Sequence, residues 1–373
     1  MHSFAILIVG PIPPPYHGVS VATNIILDSE LKYKFKIFHL DTSDRRSLLN
    51  IGRLDYKNIL LAVIHFLRLI LLLIAKHPKI VYLPICQTIS GYLRDLSFMI
   101  VSKLFGAKII IHLHGGYFRR LYEKSNSAFK LIVKFSLRLV SKAIVLGDCL
   151  RYIFEGLVPT SKIVVVHNGI DDPYKENFVR HNPGFNKPMK ILYLSSLSKE
   201  KGYLDVIQSI PEVIKKFKNV KFIFAGEYRK KEYAIFAKNY ITEHSLSSYI
   251  DHIGVITGKE KFDLLFSSDI FVFPTYYKFE GQPLAIIEAM SSGLPVITTD
   301  TGTIKEMIID GENGFIVEKQ NPAQIAQKII YLIENPEERM RMGQKSRERF
   351  LKYYTKDQFI NGLAKVFEEV LAK

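Results

Sequence analysis

Short runs of Val, Ile, Leu and Phe recur along the chain, separated by longer stretches whose apolar residues return every three or four positions. In the first half these runs are 5–9, 36–40, 80–83, 108–113, 143–146 and 163–166; in the second half they are 190–194, 221–225, 270–273, 295–298 and 315–317. Continuous apolar strands alternating with helices predict parallel sheets covered on both faces, and two such series predict two doubly wound α/β domains. The segment 168–190 is polar and dense in breakers, with Asp171-Asp172-Pro173, His181-Asn182-Pro183-Gly184 and Asn186-Lys187-Pro188. A hinge is expected there, between domains at 1–175 and 186–352. Thr355 and Gln358 have the spacing of a capping box, so an amphipathic helix is expected over 353–373, packing back toward the first domain.

The stretch 59–75 is nearly all apolar. His65 and Arg68 interrupt it, and with Leu72 and Lys76 they form one narrow stripe at helical spacing. A central arginine costs at least roughly 2.5 kcal/mol in hydrocarbon. A core or interfacial helix is therefore favoured over deeper immersion. The apolar run at the N-terminus is short and stops at Gly10 and a proline cluster, so it reads as a strand and not a secretory signal.

With 48% hydrophobic and 23% charged residues in 373, the composition is globular, and the length exceeds one ordinary core. Two cysteines, Cys86 and Cys149, exclude a disulfide framework and a cysteine-based zinc site, and they fit a reducing, cytoplasmic setting. The net charge of +15 is uneven: residues 1–180 hold 24 basic and 12 acidic side chains, residues 181–373 hold 27 and 24. An anionic partner of the first half is implied, whether a membrane surface, a phosphorylated substrate or nucleic acid.

The richest chemistry lies in 273–288. A strand ends near Pro274, a loop carries Glu280 and Gly281, and a helix opens near Pro283, where a proline's missing N–H would be unpaired anyway. Backbone N–H groups at such a helix start favour phosphate. Glu288, one turn further, is a carboxylate able to accept two hydrogen bonds from a vicinal diol such as a ribose.

The spacing Glu280-x7-Glu288, with Ala289-Met-Ser-Ser-Gly-Leu-Pro-Val-Ile-Thr298 and Gly311-Glu-Asn-Gly-Phe315 downstream, resembles the retaining, nucleotide-sugar-dependent glycosyltransferases of family 4, glycosyl transferases group 1. The resemblance covers nearly the whole chain. It implies the GT-B fold, two Rossmann-like domains facing a central cleft, with donor on the second and acceptor on the first. It implies that Glu280 contacts the donor sugar and Glu288 the ribose, while Gly281, Gln282, Pro283 and Leu284 line sugar hydroxyls and diphosphate. In Ser195-Ser-Leu-Ser-Lys-Glu-Lys-Gly202 the family's diphosphate-gripping pair becomes Ser196 and Lys201. The arginine is missing, and a hydroxyl replaces a charged fork. Lys201 must carry more of the grip, or another cation must help. Glu227 after a strand and Val255 beside it match further donor contacts, and Gly18 in Pro13-Pro-Pro-Tyr-His-Gly-Val-Ser20 matches a small-residue loop. That loop is not GxGxxG, which disfavours a nicotinamide dinucleotide.

His112 and His114 alternate onto one face of a strand end, and His114 matches the family's active-site histidine. Arg119 and Arg120 follow and are candidates for an acceptor phosphate. No Asp-x-Asp triplet appears, so neither metal nor cofactor is expected. The implied reaction moves a sugar from a UDP-sugar, or a GDP-sugar, to an acceptor hydroxyl. The basic first half with 59–75 points to a lipid-linked saccharide at the inner face of an anionic membrane, as in surface polysaccharide biosynthesis. A nucleotide-sugar epimerase is the rival enzyme. A basic nucleic-acid-binding protein is disfavoured, because most of the 20 Tyr and 25 Phe fall inside apolar runs.

Overall fold

The computed structural model describes residues 4–45, 56–175, 178, 180 and 187–372; part of the expected hinge, including His181–Gly184 and Asn186, lies outside them. The chain forms two compact units, Met1–Gly169 with Lys356–Lys373, and Ile170–Thr355.

The first unit holds a sheet of β1 (Ala5–Gly10), β2 (Lys36–Asp41), β3 (Ile80–Pro84), β4 (Lys108–Leu113), β5 (Val140–Val145) and β6 (Ile163–Val165). All pairs are parallel, in the order β2-β1-β3-β4-β5-β6. Parallel crossovers are right-handed, so the direction of each step decides which face its helix covers. From β2 to β3, β3 to β4 and β4 to β5 the chain steps the same way. The helices Tyr56–Lys76, Ile89–Leu104 and Ser127–Arg138 accordingly share one face, burying Leu73, Phe98 and Val133. The step from β1 to β2 runs the other way, and Gly18–Leu27 covers the opposite face with the C-terminal helix Lys356–Leu371, through Ile26, Leu363 and Phe367. Thr88 and Asn126 cap two of these helices by accepting from the N–H groups of Gly91 and Phe129.

The second unit holds β7 (Met189–Leu194), β8 (Val220–Ala225), β9 (Ile250–Gly254), β10 (Ile270–Phe273), β11 (Val296–Thr299) and β12 (Gly314–Val317), parallel in the order β12-β11-β10-β7-β8-β9. Both units are thus doubly wound α/β. The strand β9 is absent from the apolar runs because it is an edge strand with Asp251 and His252 inside it and little of it buried. The changeover between units falls at Gly169, earlier than residue 175. The Ile170 N–H donates to the Tyr354 carbonyl at 3.1 Å, and the Arg347 guanidinium forks onto Asp172 at 2.8 and 2.6 Å.

Each sheet reverses its winding once. In the first unit the reversal lies between β1 and β3, in the second between β7 and β10. Loops diverge there at the carboxyl ends of the strands and leave a crevice, the usual ligand position in such sheets.

Candidate active site

In the second unit the loops after β7 and β10 meet at the reversal. Tyr276 N–H donates to the Glu200 carbonyl at 2.8 Å. Gly202 permits this approach: its φ is +79°, and a Cβ would lie 2.3 Å from the Pro274 carbonyl oxygen. The loop after β11 closes the third side, where Thr303 N–H donates to the Gly281 carbonyl at 2.8 Å. Lys201 Nζ lies 2.6 Å from Glu280 Oε2, and the same oxygen accepts from the Thr275 hydroxyl at 3.0 Å. Lys201 is 17% and Glu280 9% exposed, so two residues chosen separately from the sequence form one shielded ion pair. The ammonium also sits 4.7 Å from the centre of the Tyr277 ring. The Arg229 guanidinium is near enough to that same tyrosine to oppose the rise that burial gives its hydroxyl, which brings a second cation to the neighbourhood of the pair. Ser196 stands in the loop, half-buried, its carbonyl accepting from the Ser198 N–H at 2.9 Å.

The helix Leu284–Ser291 starts beside this pair. Pro283 is its N-cap, with ψ of 120°, one position before the first helical turn where the proline rule would put it. Gly281, Gln282 and Pro283 are buried at that start, and the positive end of the helix faces the loop that carries them. One turn in, Glu288 Oε1 meets Lys261 Nζ at 2.6 Å. Burial pushes the Glu288 carboxyl up, and the ammonium opposes that. Glu227 and Val255 lie on exposed positions after β8 and in the loop after β9, the first and second strands away from β7. The Leu197 N–H donates to the Glu227 carbonyl at 2.8 Å, tying these loops to the site's edge.

In the first unit His112 and His114 end β4 with ring centres 4.0 Å apart. His112 Nδ1 lies 2.5 Å from the Tyr82 hydroxyl; its Nε2 and both nitrogens of His114 are shielded and unpartnered among the described residues. Burial lowers His114 to about 3, with a further push from the positive form of His17, and holds His112 well below the ordinary range. Both rings are therefore neutral at physiological pH. Gly18 opens the helix Gly18–Leu27 just after its N-cap, His17, whose ring accepts from the Ser20 N–H. Arg119 is held by Glu123 at 2.7 Å and by the Glu155 carbonyl at 2.7 Å, a local role, while Arg120 is exposed. No group of three or more metal-ligating side chains occurs among the described residues.

Lys261, Arg229, His17 and Tyr82 carry no sequence signal for these positions. Lys261 is 27 residues from Glu288 along the chain, and only the fold joins them. Ser20 three residues after His17 is the one local hint, a reciprocal cap.

Residues 175–349 match the glycosyl transferases group 1 family. An uncharacterized glycosyltransferase of Methanocaldococcus jannaschii is 29% identical over 214 residues, 56% of this chain and 54% of that protein. The capsular polysaccharide biosynthesis glycosyltransferase CapM of Staphylococcus aureus is 29% identical over 234 residues, 59% of each. The chain thus spans little more than half the length of these relatives. HepE from Anabaena in complex with UDP superposes with a TM-score of 0.76 over 98% of this chain and 100% of that one, at 16% identity, which is a shared fold. HepE has also been solved in complex with UDP-glucose.

Proposed function

We propose that this chain, whose residues 175–349 match the glycosyl transferases group 1 family, transfers a sugar with retention from a nucleoside diphosphate sugar to an acceptor hydroxyl. The observation that carries this is the pairing, at one sheet reversal, of Lys201 with Glu280 and of Lys261 with Glu288 around a helix start. A diphosphate arriving there takes the Lys201 ammonium and the first-turn N–H groups of Leu284–Ser291, which stabilise the charge that develops on it as the leaving group. Arg229 stands in for the guanidinium that Ser196 lacks. Glu280, released from Lys201, accepts from donor sugar hydroxyls, and Glu288 accepts from the ribose. The glycosidic C1–O bond to phosphate breaks, C1 bonds the acceptor oxygen on the same face, and the acceptor proton passes to the departing diphosphate. His114, neutral and without a hydrogen-bond partner among the described residues, offers one donor and one acceptor to a hydroxyl in the first unit. UDP in the HepE structure favours a UDP-sugar over a GDP-sugar.

The acceptor is a lipid-linked saccharide, as in surface polysaccharide assembly, met at the inner membrane face. Tyr56–Lys76 is long and apolar enough to cross a membrane by length and composition, yet it buries His65, Leu69 and Leu73 in the core. Its opposite side is bare, with Leu71 65% exposed, and Leu104 at 80% and Leu131 at 70% continue the apolar surface onto the two neighbouring helices. Exposed Arg68, Lys76, Lys103 and Lys134 border it, and the one carboxylate in these three helices, Asp95, is buried against Arg94. Apolar side chains with cations and no exposed carboxylate fit the surface of an anionic bilayer.

Thermal melting of the full chain with a panel of UDP- and GDP-sugars, followed by assay of nucleoside diphosphate release, tests the donor reading. One donor should raise the melting temperature in the wild type and fail to do so in Glu288→Ala. No response to any member of the panel refutes the reading. Flotation with phosphatidylglycerol vesicles, against phosphatidylcholine alone, tests the surface. Binding that is equal for both, or unchanged in Leu71→Ser/Leu131→Ser, refutes it.

A further inference from the structure

The Glu288 carboxylate is 12% exposed and the ammonium opposite it 21%. A buried carboxylate without a cation takes up a proton, and a protonated carboxyl offers a vicinal diol one lone-pair oxygen fewer and a competing donor. The elements packed around Leu284–Ser291 bring few charges to it. Arg347, on Pro336–Tyr353, is committed to Asp172 and the Ser291 carbonyl. Arg180 is committed to the carbonyls of Ser292 and Ser268. Tyr174 hydrogen-bonds the Phe262 carbonyl and the Ser292 hydroxyl, and Arg339 bonds the Leu332 carbonyl. On the Gly258–Ser267 helix itself, Glu260 is exposed and Asp263 pairs with Lys259 at its exposed side. Lys261 is the cation whose charge touches Glu288.

We propose that Lys261 is a positioning residue for the donor nucleotide: by holding Glu288 Oε1 it keeps the carboxylate ionised and leaves the second oxygen as the acceptor for a ribose hydroxyl. The inference rests on the reading of Glu288 as the ribose contact. It adds that donor affinity is set by a residue on a separate helix, Gly258–Ser267, whose side chain need not touch the nucleotide at all.

Calorimetric titration of the full chain with UDP, GDP and ADP from pH 5.5 to 8.5 separates the two claims. The nucleotide that binds the wild type should bind with little pH dependence. In Lys261→Met its affinity should fall tenfold or more at pH 6 and recover as the pH rises, because the unpaired carboxyl then ionises only at higher pH. Lys261→Arg should restore the wild-type profile. Lys261→Gln, which keeps a hydrogen bond without the charge, should behave as the Met variant does and substitutes for it if that variant melts at assay temperature. Wild-type affinity in Lys261→Met or Lys261→Gln overturns the proposal, as does a loss that is the same at every pH. Wild-type affinity in Glu288→Gln overturns the ribose reading itself, and failure of all three nucleotides to bind the wild type overturns the donor site.

Discussion

Both units are six-stranded parallel sheets with a single reversal, yet charge is arranged in them in opposite ways. The second unit places two ammonium groups against two buried carboxylates beside its reversal, each at 2.6 Å. The first unit places two neutral imidazoles at the end of β4, with nitrogens that no described residue satisfies. The same topology makes both crevices, so the chemistry comes from the side chains that the loops deliver. An ion pair can exchange partners: a diphosphate can take Lys201 from Glu280 without leaving a cation bare in a shielded site. Neutral rings can trade only hydrogen bonds, which suits a hydroxyl and not a phosphate. The exposed apolar helices belong to the unit with the neutral crevice, so the paired charges and the exposed apolar side chains lie in different units.

The largest effect that could break this comparison is at Glu280. Glu280→Gln keeps the shape but removes the charge, leaving Lys201 unpaired and the donor sugar without its ionised acceptor. Turnover should fall by about 10²–10³-fold, the scale for removing one transition-state contact. Initial rates measure it, and a turnover within a few-fold of wild type would show that the paired charge is mere packing.

The next effect sharpens the neutral side. His112 and His114 are neutral when folded, but a free histidine gains a proton below about pH 6.5. The unfolded chain therefore binds more protons, and each ring withdraws about 1.4 kcal/mol of stability from the first unit for every pH unit below 6.5. For His114 the loss runs down to about pH 3. Hydrogen exchange of β4 in the full chain, compared at pH 7 and 5, should show selective loosening that His114→Gln reduces. Equal protection at both values would mean that the rings are charged or satisfied in the fold. Turnover of His114→Gln, reduced or not, should follow pH in parallel with wild type from 5 to 8, since the histidine does not titrate there.

A smaller effect probes how the second crevice is held together. Gly302 has φ of +61°, and a Cβ there would lie 2.4 Å from the Gly281 carbonyl oxygen. Gly302→Ala meets both the left-handed penalty and a backbone collision, together about 2–3 kcal/mol. The melting temperature should drop, and donor affinity should drop with it, because the peptide displaced is next to Glu280. An unchanged melting curve would show that the loop after β11 does not brace the site.

How far the sequence carries the molecule follows from the same contrast. The central strands are legible because a strand buried on both faces must be apolar throughout, and β4 and β10 coincide with their apolar runs. The edge strand β9 is not, because Asp251 and His252 can sit where one side meets solvent. The four loops with glycine, histidine or glutamate could be picked out as candidates one by one. Their grouping could not, since the Lys201–Glu280 pair spans 79 residues and only the strand order brings β7 beside β10. Lys261 was silent for a further reason: a lysine in an ordinary amphipathic helix looks solvated until the helix it packs on is known. Tyr56–Lys76 is ambiguous in sequence between a core or interfacial helix and deeper immersion, and the fold buries one side of it and leaves the other exposed.

The smallest effect tests whether every buried carboxylate of the second unit is part of this charge recognition. Asp205 is 6% exposed and its Oδ2 has no hydrogen-bond partner among the described residues. It lies in the first turn of Tyr203–Lys216, where the helix dipole favours a negative charge by about 0.3–1 kcal/mol. Desolvation outweighs that and the pull of Lys199, and raises the carboxyl to about 6. With an unfolded value near 3.9, the folded state holds the proton more tightly, so its stabilising contribution is full below about pH 4 and is lost as the pH rises through 6. Desolvating the charged form thus costs the second unit about 3 kcal/mol at neutral pH, the free-energy equivalent of that difference in proton affinity. An amide in its place still buries a polar group, so Asp205→Asn should return about 1–2 kcal/mol at pH 7 and nothing at pH 4. Melting curves of the full chain and hydrogen exchange of Tyr203–Lys216 at the two pH values measure this. A stabilisation at pH 7 with unchanged donor affinity would set Asp205 apart from Glu280 and Glu288 as a buried charge with no cation. Destabilisation by the amide would mean that the charge is held by a partner, and Asp205 would then join Asp172, held by Arg347, as a paired carboxylate of the second unit.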